Sequence, residues 1–213
     1  MYVRAPARLL LLVIGAFSPV ALCAQDGLRT PVQSLSGVRV LPESTEIRLA
    51  REAASPSISR DADVYVFQDG TFKRTVTGSN GFACMVGRDT RAPSLFPMCF
   101  DPEGARTLMR REMMKVELMA AGVPLDAVIP KVDSAAHDGR VHYPKTTSLT
   151  YMMSSHQVLY DGDKNIGAAH SHVMIYLPGT TPAQFSVLPA GMSLDTIDNV
   201  PLLIVVLPAW GDR

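Results

Sequence analysis

The strongest constraint on the fold is the pair Asp69-Gly70, which stands between two runs rich in β-forming residues. The first run covers residues 63–68 and the second covers residues 71–77. An Asp-Gly pair at this position favours a tight hairpin, because both central residues of the turn must adopt positive φ angles. A second glycine-rich turn leads to a third β-type run over residues 82–87. The sequence therefore predicts a three-stranded antiparallel meander.

Helical and β-type patterns alternate along the rest of the chain. An amphipathic stretch over residues 43–54 predicts a helix that ends before Pro56. Asp101 and Pro102 open a second helix well, since Asp caps the first turn and Pro suits the first helical position. The remaining predictions are the body of that helix up to Gly122, a helix over residues 125–136, and strands over residues 149–154, 157–160, 171–177 and 202–207. The last strand is continuously apolar, which predicts a fully buried central strand.

These elements predict one α+β fold. An antiparallel sheet would combine the N-terminal three-stranded meander with the C-terminal strands, and two central helices would cover one face of the sheet. The predicted domain spans residues 61–213, and residues 25–60 form an arm and a helix ahead of it.

The first 24 residues predict a secretory signal peptide. Arg4 and Arg8 precede a leucine-rich run over residues 9–17, and small residues then lead into a polar start at Gln25. This order of positive head, apolar run and small-residue exit is typical of a cleaved signal. The run is also shorter than the ~20 residues that a transmembrane helix needs. We therefore expect a secreted or periplasmic protein with no transmembrane segment in its mature chain.

Cys84 and Cys99 are the cysteines that remain after removal of the predicted signal peptide. In an oxidising compartment such a pair predicts a disulfide. Two buried thiols and a redox pair are the alternatives, although the Cys-x-x-Cys spacing of redox pairs is absent.

The charge balance argues against two classes of partner. The chain has 20 basic and 20 acidic residues, and loss of the signal peptide removes two arginines and no acid. Binding to duplex nucleic acid depends on neutralising many phosphates, and this chain has no basic excess with which to do so. No charge run suggests a membrane-surface helix. We expect no nucleic-acid partner, and the sequence leaves the true partner unknown.

A His-x-His pattern near the C-terminus is the sharpest chemical signal. Alternate residues of a strand share a face, so His170, His172, Met174 and Tyr176 would lie together while the apolar residues between them point to the core. Two imidazoles suit zinc or copper, and a thioether beside them favours copper(I). His156 is a possible third ligand if its strand lies next door. The alternative is a half-exposed sheet face that tolerates histidine.

Other chemical signals are incomplete. Asp161, Asp163 and Asn165 have the alternating oxygens of a calcium loop, but the glycine and glutamate that such a loop needs are absent. Two serines precede His156, yet a hydrolytic triad is built in space and is not indicated by adjacency. Neither a nucleophile elbow nor a phosphate-binding glycine loop occurs. Two methionine pairs suggest a copper-handling surface, although methionine more often fills a core.

Four strings carry a resemblance when they are taken together. They are GSNGFAC at residues 78–84, CFDPEG at 99–104, YMMS at 151–154 and HVMIY at 172–176. In this order they resemble a family of exported bacterial proteins with no assigned activity, over about residues 53 to 208. The resemblance implies export and one compact unit, and it implies no catalytic residue or ligand.

Two functional hypotheses follow from the sequence. The first is an exported, soluble, non-catalytic binding or structural protein, because no catalytic constellation is complete. The second is a metal-binding protein or metal-dependent enzyme that uses His170 and His172 with His156 or Met174, and zinc or copper as its ion.

Overall fold

The computed structural model describes residues 34–35, 37–88, 94–161, 164–168, 170–185, 187–197 and 200–207. The predicted signal peptide lies outside the described residues, as do Asp163 and the first part of the predicted arm. All described residues belong to one compact unit. None of the helices in these ranges is both long enough and apolar enough to span a bilayer.

The described residues contain twelve strands and five α-helices. The strands are β1 Ser34–Leu35, β2 Val38–Arg39, β3 Asp63–Gln68, β4 Thr71–Val76, β5 Ala83–Arg88, β6 Leu95–Phe100, β7 Ser148–Met152, β8 Val158–Asp161, β9 Lys164–Ala168, β10 His172–Tyr176, β11 Met192–Ile197 and β12 Val200–Val206. The helices are α1 Glu43–Glu52, α2 Pro56–Ser59, α3 Pro102–Arg106, α4 Leu108–Ala120 and α5 Leu125–His137, with a 3-10 turn at Pro182–Phe185.

The predicted hairpin is confirmed. Strands β3 and β4 pair antiparallel around a turn in which Asp69 has φ 51° and Gly70 has φ 82°. Positive φ at both central residues is the backbone geometry that matches the twist of the two strands.

The predicted pairing of the third strand of the meander is wrong. Strand β5 lies on the other side of β3 and pairs with it in parallel, not with β4. The chain turns back under the start of β3, where the N–H of Ser79 donates to the carbonyl of Asp61 at 2.8 Å. Only glycine fits at position 78, because a Cβ there would lie 2.3 Å from the carbonyl carbon of Ala62. This close passage takes the chain to the edge of β3 that β4 does not occupy.

The larger sheet is mixed and mostly antiparallel, which confirms the α+β class. Its main path runs β11-β12-β10-β7-β6-β5-β3-β4, and β8 joins β6 and β9 beside this path. Strand β12 lies between β11 and β10, but only Pro201 and Leu202 in it are buried. The prediction of a fully buried central strand is therefore wrong, since β12 stands one place from the sheet edge at which β11 lies.

Helices cover both faces of the sheet at β5, where all six residues are buried. On one face Met85 packs with Met109 and Met113 of α4. Helix α1 packs on β3, β5 and β6, and Leu49 and Ala50 in it are fully buried. Because successive strand residues point to opposite faces, α1 covers the face opposite α4. The predicted arrangement placed the two central helices on one face and did not include α1. The domain boundary near residue 61 stays a prediction.

The first central helix is interrupted. Asp101 caps it as predicted, with Oδ1 accepting from the N–H of Gly104 at 2.7 Å. The helical path then breaks at Thr107, which has φ −119° and ψ −80°, so α3 and α4 are separate helices.

A buried ion pair fastens α1 to the sheet. Nη1 and Nη2 of Arg88 donate to the two carboxylate oxygens of Glu46 at 2.7 and 2.8 Å. The two side chains are only 2% and 0% exposed. Glu46 also accepts from the N–H of Phe67 at 3.0 Å, and Nε of Arg88 donates to the carbonyl of Arg39 at 3.1 Å. A carboxylate and a guanidinium this deeply buried depend on each other for charge compensation.

The ion pair predicts a large loss of stability for Glu46→Gln. The substitution leaves Arg88 buried without a counter-charge, which costs about 3–5 kcal/mol. Urea unfolding measures the change in the free energy of unfolding. Arg140→Gln is the matched control, because its pair with Asp138 is exposed and such pairs contribute about 0–1 kcal/mol. Equal losses in the two variants would contradict the assignment.

Cys84 and Cys99 face each other directly across β5 and β6, with their sulfur atoms at disulfide distance. We expect alkylation of unreduced protein to label neither cysteine. Given the length of chain that the disulfide closes into a loop, we expect reduction to lower the free energy of unfolding by about 3 kcal/mol. Urea unfolding with and without reductant measures this change. Two alkylatable thiols in unreduced protein would overturn the disulfide.

Candidate functional site

An open cleft of about 680 Å³ lies between α1, α2 and the residues that follow β7. Its apolar lining consists of Ile47, Ala54, Pro56 and Met153. Its polar and charged lining consists of Ser44, Arg48, Arg51, Glu52, Ser59, Arg60, Ser154, Ser155 and His156. A volume of roughly 300–1,000 Å³ is typical of sites for small molecules.

Helix α1 builds the cleft with its outer face. Ser44, Ile47, Arg48 and Arg51 are three or four residues apart, so they share one side of the helix. The chain turns sharply after α1 because Pro56 starts α2 at its first position. The opposite wall is tied to the end of α1 by a hydrogen bond from the N–H of Met153 to the carbonyl of Ala53 at 3.0 Å.

A closed set of hydrogen bonds joins Glu52, Ser154 and His156. Nδ1 of His156 lies 2.6 Å from Oε2 of Glu52. The hydroxyl of Ser154 donates to the same oxygen at 3.1 Å and accepts from the N–H of His156 at 3.0 Å. Oε1 of Glu52 also accepts from Nη1 of Arg48 at 2.6 Å. The carboxylate therefore orients an imidazole, a hydroxyl and a guanidinium together.

This geometry sets which nitrogen of His156 is free. A carboxylate can only accept, so the proton of neutral His156 lies on Nδ1 and the lone pair lies on Nε2. The side chain of His156 is 41% exposed and lines the cleft. Nε2 is thus the basic atom that the cleft offers to a ligand.

The cleft has an excess of positive charge. Arg48 is paired with Glu52, whereas Arg51 and Arg60 have no acidic partner among the residues that the structure describes. Nε of Arg51 is buried and has no hydrogen-bond partner in that part of the chain. Because Arg51 lines the cleft without a counter-charge among the described residues, its guanidinium suits an anion that enters the cleft.

The structure does not bring the predicted histidines to one cavity. His156 lines the α1 cleft, and His170 is exposed. His172 and Met174 line a second cavity of about 340 Å³ beside α4. Across the described ranges, no group of three or more His, Cys, Asp or Glu residues is placed to hold a metal ion. The metal site made of His170, His172, His156 and Met174 stays a prediction.

The predicted orientation of β10 is wrong. Tyr176 is 4% exposed and belongs to the core, and Met174 packs against that core. Val173 and Ile175, which were expected to point inward, are only half-buried. A strand pattern shows which residues share a face. It cannot show which of the two faces a distant helix will cover. Burial and the nearby charge of Glu112 raise the pKa of the Tyr176 phenol well above its ordinary value.

The sequence-based reasoning did not identify Glu52, Arg51 or Arg60 as site residues, and it considered His156 only as a metal ligand. Glu52 and His156 are separated by more than one hundred positions in the chain, so no spacing rule connects them. Two serines, Ser154 and Ser155, precede His156 in the sequence, and the structure joins the first of them to Glu52. The available signal was the presence of three charged residues, Arg48, Arg51 and Glu52, on an amphipathic helix.

Comparison of the chain with protein-family models, with curated proteins and with solved structures finds no match. We therefore infer the function from the geometry of the cleft.

The Glu52 contact predicts an uncommon tautomer for His156. We expect nitrogen NMR shifts of neutral His156 to show a protonated Nδ1 and an unprotonated Nε2. Glu52→Ala should abolish this preference because it removes the acceptor, whereas Glu43→Ala at the exposed start of α1 should not change it. A neutral His156 with its proton on Nε2 in the unsubstituted protein would contradict the contact.

Proposed function

We propose that this chain is an exported binding protein that holds a small amphiphilic anion in the α1 cleft. The single observation that carries the proposal is that two arginines in the wall of a partly apolar cleft, Arg51 and Arg60, have no acidic partner among the described residues. Charge-assisted hydrogen bonds from a guanidinium to an oxyanion are among the stronger polar contacts in proteins.

The lining also suggests the body of the ligand. Ile47, Pro56 and Met153 offer apolar surface beside the arginines. A ligand with an aliphatic or aromatic body and one charged end would contact the apolar surface with its body and the arginines with its charged end. Nε2 of His156 can accept a hydrogen bond from a hydroxyl or amide group on such a ligand. Carboxylate and phosphate ends share the chemistry that the arginines recognise.

Calorimetry with octanoate, octyl phosphate and octanol tests the proposal. We expect the two anions to bind and octanol not to bind, because only the anions can engage the arginines. Arg51→Gln and Arg60→Gln should each weaken binding by about 10- to 100-fold, the equivalent of a charged hydrogen bond. Arg140→Gln, far from the cleft in sequence and exposed, is the control. Equal binding of octanol and octanoate, or full affinity in the double variant, would overturn the proposal.

A second candidate is a hydrolase in which His156 acts as general base. It is favoured by the 2.6 Å contact between Glu52 and Nδ1 of His156, since an acid–imidazole pair is the arrangement that activates water or a hydroxyl. p-Nitrophenyl octanoate separates the two functions. Turnover that His156→Gln and Glu52→Gln both abolish supports the hydrolase, whereas saturable binding without turnover supports the binding protein.

A further inference from the structure

The cavity beside α4 lies on the opposite side of the sheet from the α1 cleft and has a different chemistry. Three methionines and one histidine line it, namely Met98, Met152, Met174 and His172. The cavity has a volume of about 340 Å³. It plays no part in the anion binding proposed above, so the two sites can be tested separately.

Strand register brings these four side chains together. His172 on β10 is directly opposite Met152 on β7, and Met174 follows on the same face two residues along β10. Met98 lies on β6, the next strand beyond β7. Directly opposed residues on one face have Cβ atoms about 4.5–5.5 Å apart, which is within the reach of a methionine side chain.

Met98 is directly opposite Met85 on β5, and its sulfur lies close to the diagonal neighbour Gly87. A Cβ at Gly87 would lie only 2.9 Å from the sulfur of Met98. The glycine thus leaves room for a thioether in the cavity wall.

The imidazole of His172 is held in the form that a metal ion needs. Nδ1 lies 2.7 Å from the carbonyl oxygen of His170. A carbonyl can only accept, so neutral His172 carries its proton on Nδ1 and has the lone pair on Nε2. Histidines that bind metal ions commonly donate their other ring N–H to a carbonyl or carboxylate in this way.

The cavity also contains a polar atom that lacks a partner. Gln157 is fully buried, and its Nε2 donates to the carbonyls of Met152 and Ser154. Its Oε1 has no hydrogen-bond partner among the described residues. Gln157 therefore contributes a neutral side chain to the cavity wall and adds no charge there.

We infer that this cavity binds one soft monovalent metal ion, Cu(I) or Ag(I), through Nε2 of His172 and the thioethers of Met152, Met174 and Met98. Thioethers are soft ligands that select copper(I), and imidazole suits copper as well. The one carboxylate in the lining, Glu112, forms ion pairs with Arg111 and Lys115, so the cavity has no unpaired carboxylate with which to favour zinc. His156 and His170 are not ligands in this site.

Silver(I) is the first probe because it does not exchange electrons with the Cys84–Cys99 pair. We expect calorimetry to show one Ag(I) bound per chain and no Zn²⁺ bound, and a chelator competition to show one Cu(I). X-ray absorption of the copper form should show sulfur and nitrogen neighbours. A protein that binds neither Ag(I) nor Cu(I), or that binds Zn²⁺ as tightly, overturns the inference.

Conservative variants distinguish a metal site from ordinary core packing. Met152→Leu, Met174→Leu and His172→Gln should each weaken Ag(I) binding by at least about tenfold, which corresponds to ~1.4 kcal/mol. Met113→Leu is the matched control, since Met113 belongs to the same core but does not line the cavity. Methionine-to-leucine swaps nearly conserve side-chain volume and are well tolerated in cores, so the three Met→Leu variants should fold.

His170→Ala gives a further discriminating result. The variant keeps the backbone carbonyl that orients His172, so we expect full Ag(I) affinity. Loss of binding in His170→Ala or in Met113→Leu, with retention in Met152→Leu and Met174→Leu, would place the ion elsewhere and refute this ligand set.

Discussion

The ion pair between Glu46 and Arg88 is the interaction on which the rest of the structure depends. It joins the first long helix to a strand that is buried on both faces, and neither charge has access to water. Two buried charges add little net stability when they are compared with apolar side chains of the same size, but each is costly without the other. The pair therefore acts mainly to specify where α1 must lie on the sheet.

The position of α1 decides the chemistry of the cleft. Glu46, Leu49 and Ala50 point into the protein, and this leaves the charged side of the same helix facing outward. Its last residue, Glu52, then meets His156 from the segment that follows β7, and a hydrogen bond from the N–H of Met153 to the carbonyl of Ala53 joins this segment to the end of the helix. A helix that is fixed on one side by a buried charge pair thus presents a second, partly exposed charge network on its other side.

Local rules predicted those parts of the fold whose cause is local. The Asp69-Gly70 turn and the Asp101 cap need only neighbouring residues, and both formed as predicted. The pairing of β5 with β3, the burial of Tyr176 and the contact between Glu52 and His156 depend on segments far apart in the chain. The sequence pattern showed that residues alternate along β10, but only the packing of α4 shows which side of β10 is the core.

A crystal structure of the protein with octyl phosphate would show whether the outer face of α1 forms an anion site. We expect phosphate oxygens within hydrogen-bond distance of the Arg51 guanidinium, with the octyl chain against Ile47 and Met153. A phosphate bound away from Arg51 and Arg60, or a cleft left empty at saturating ligand, would contradict it.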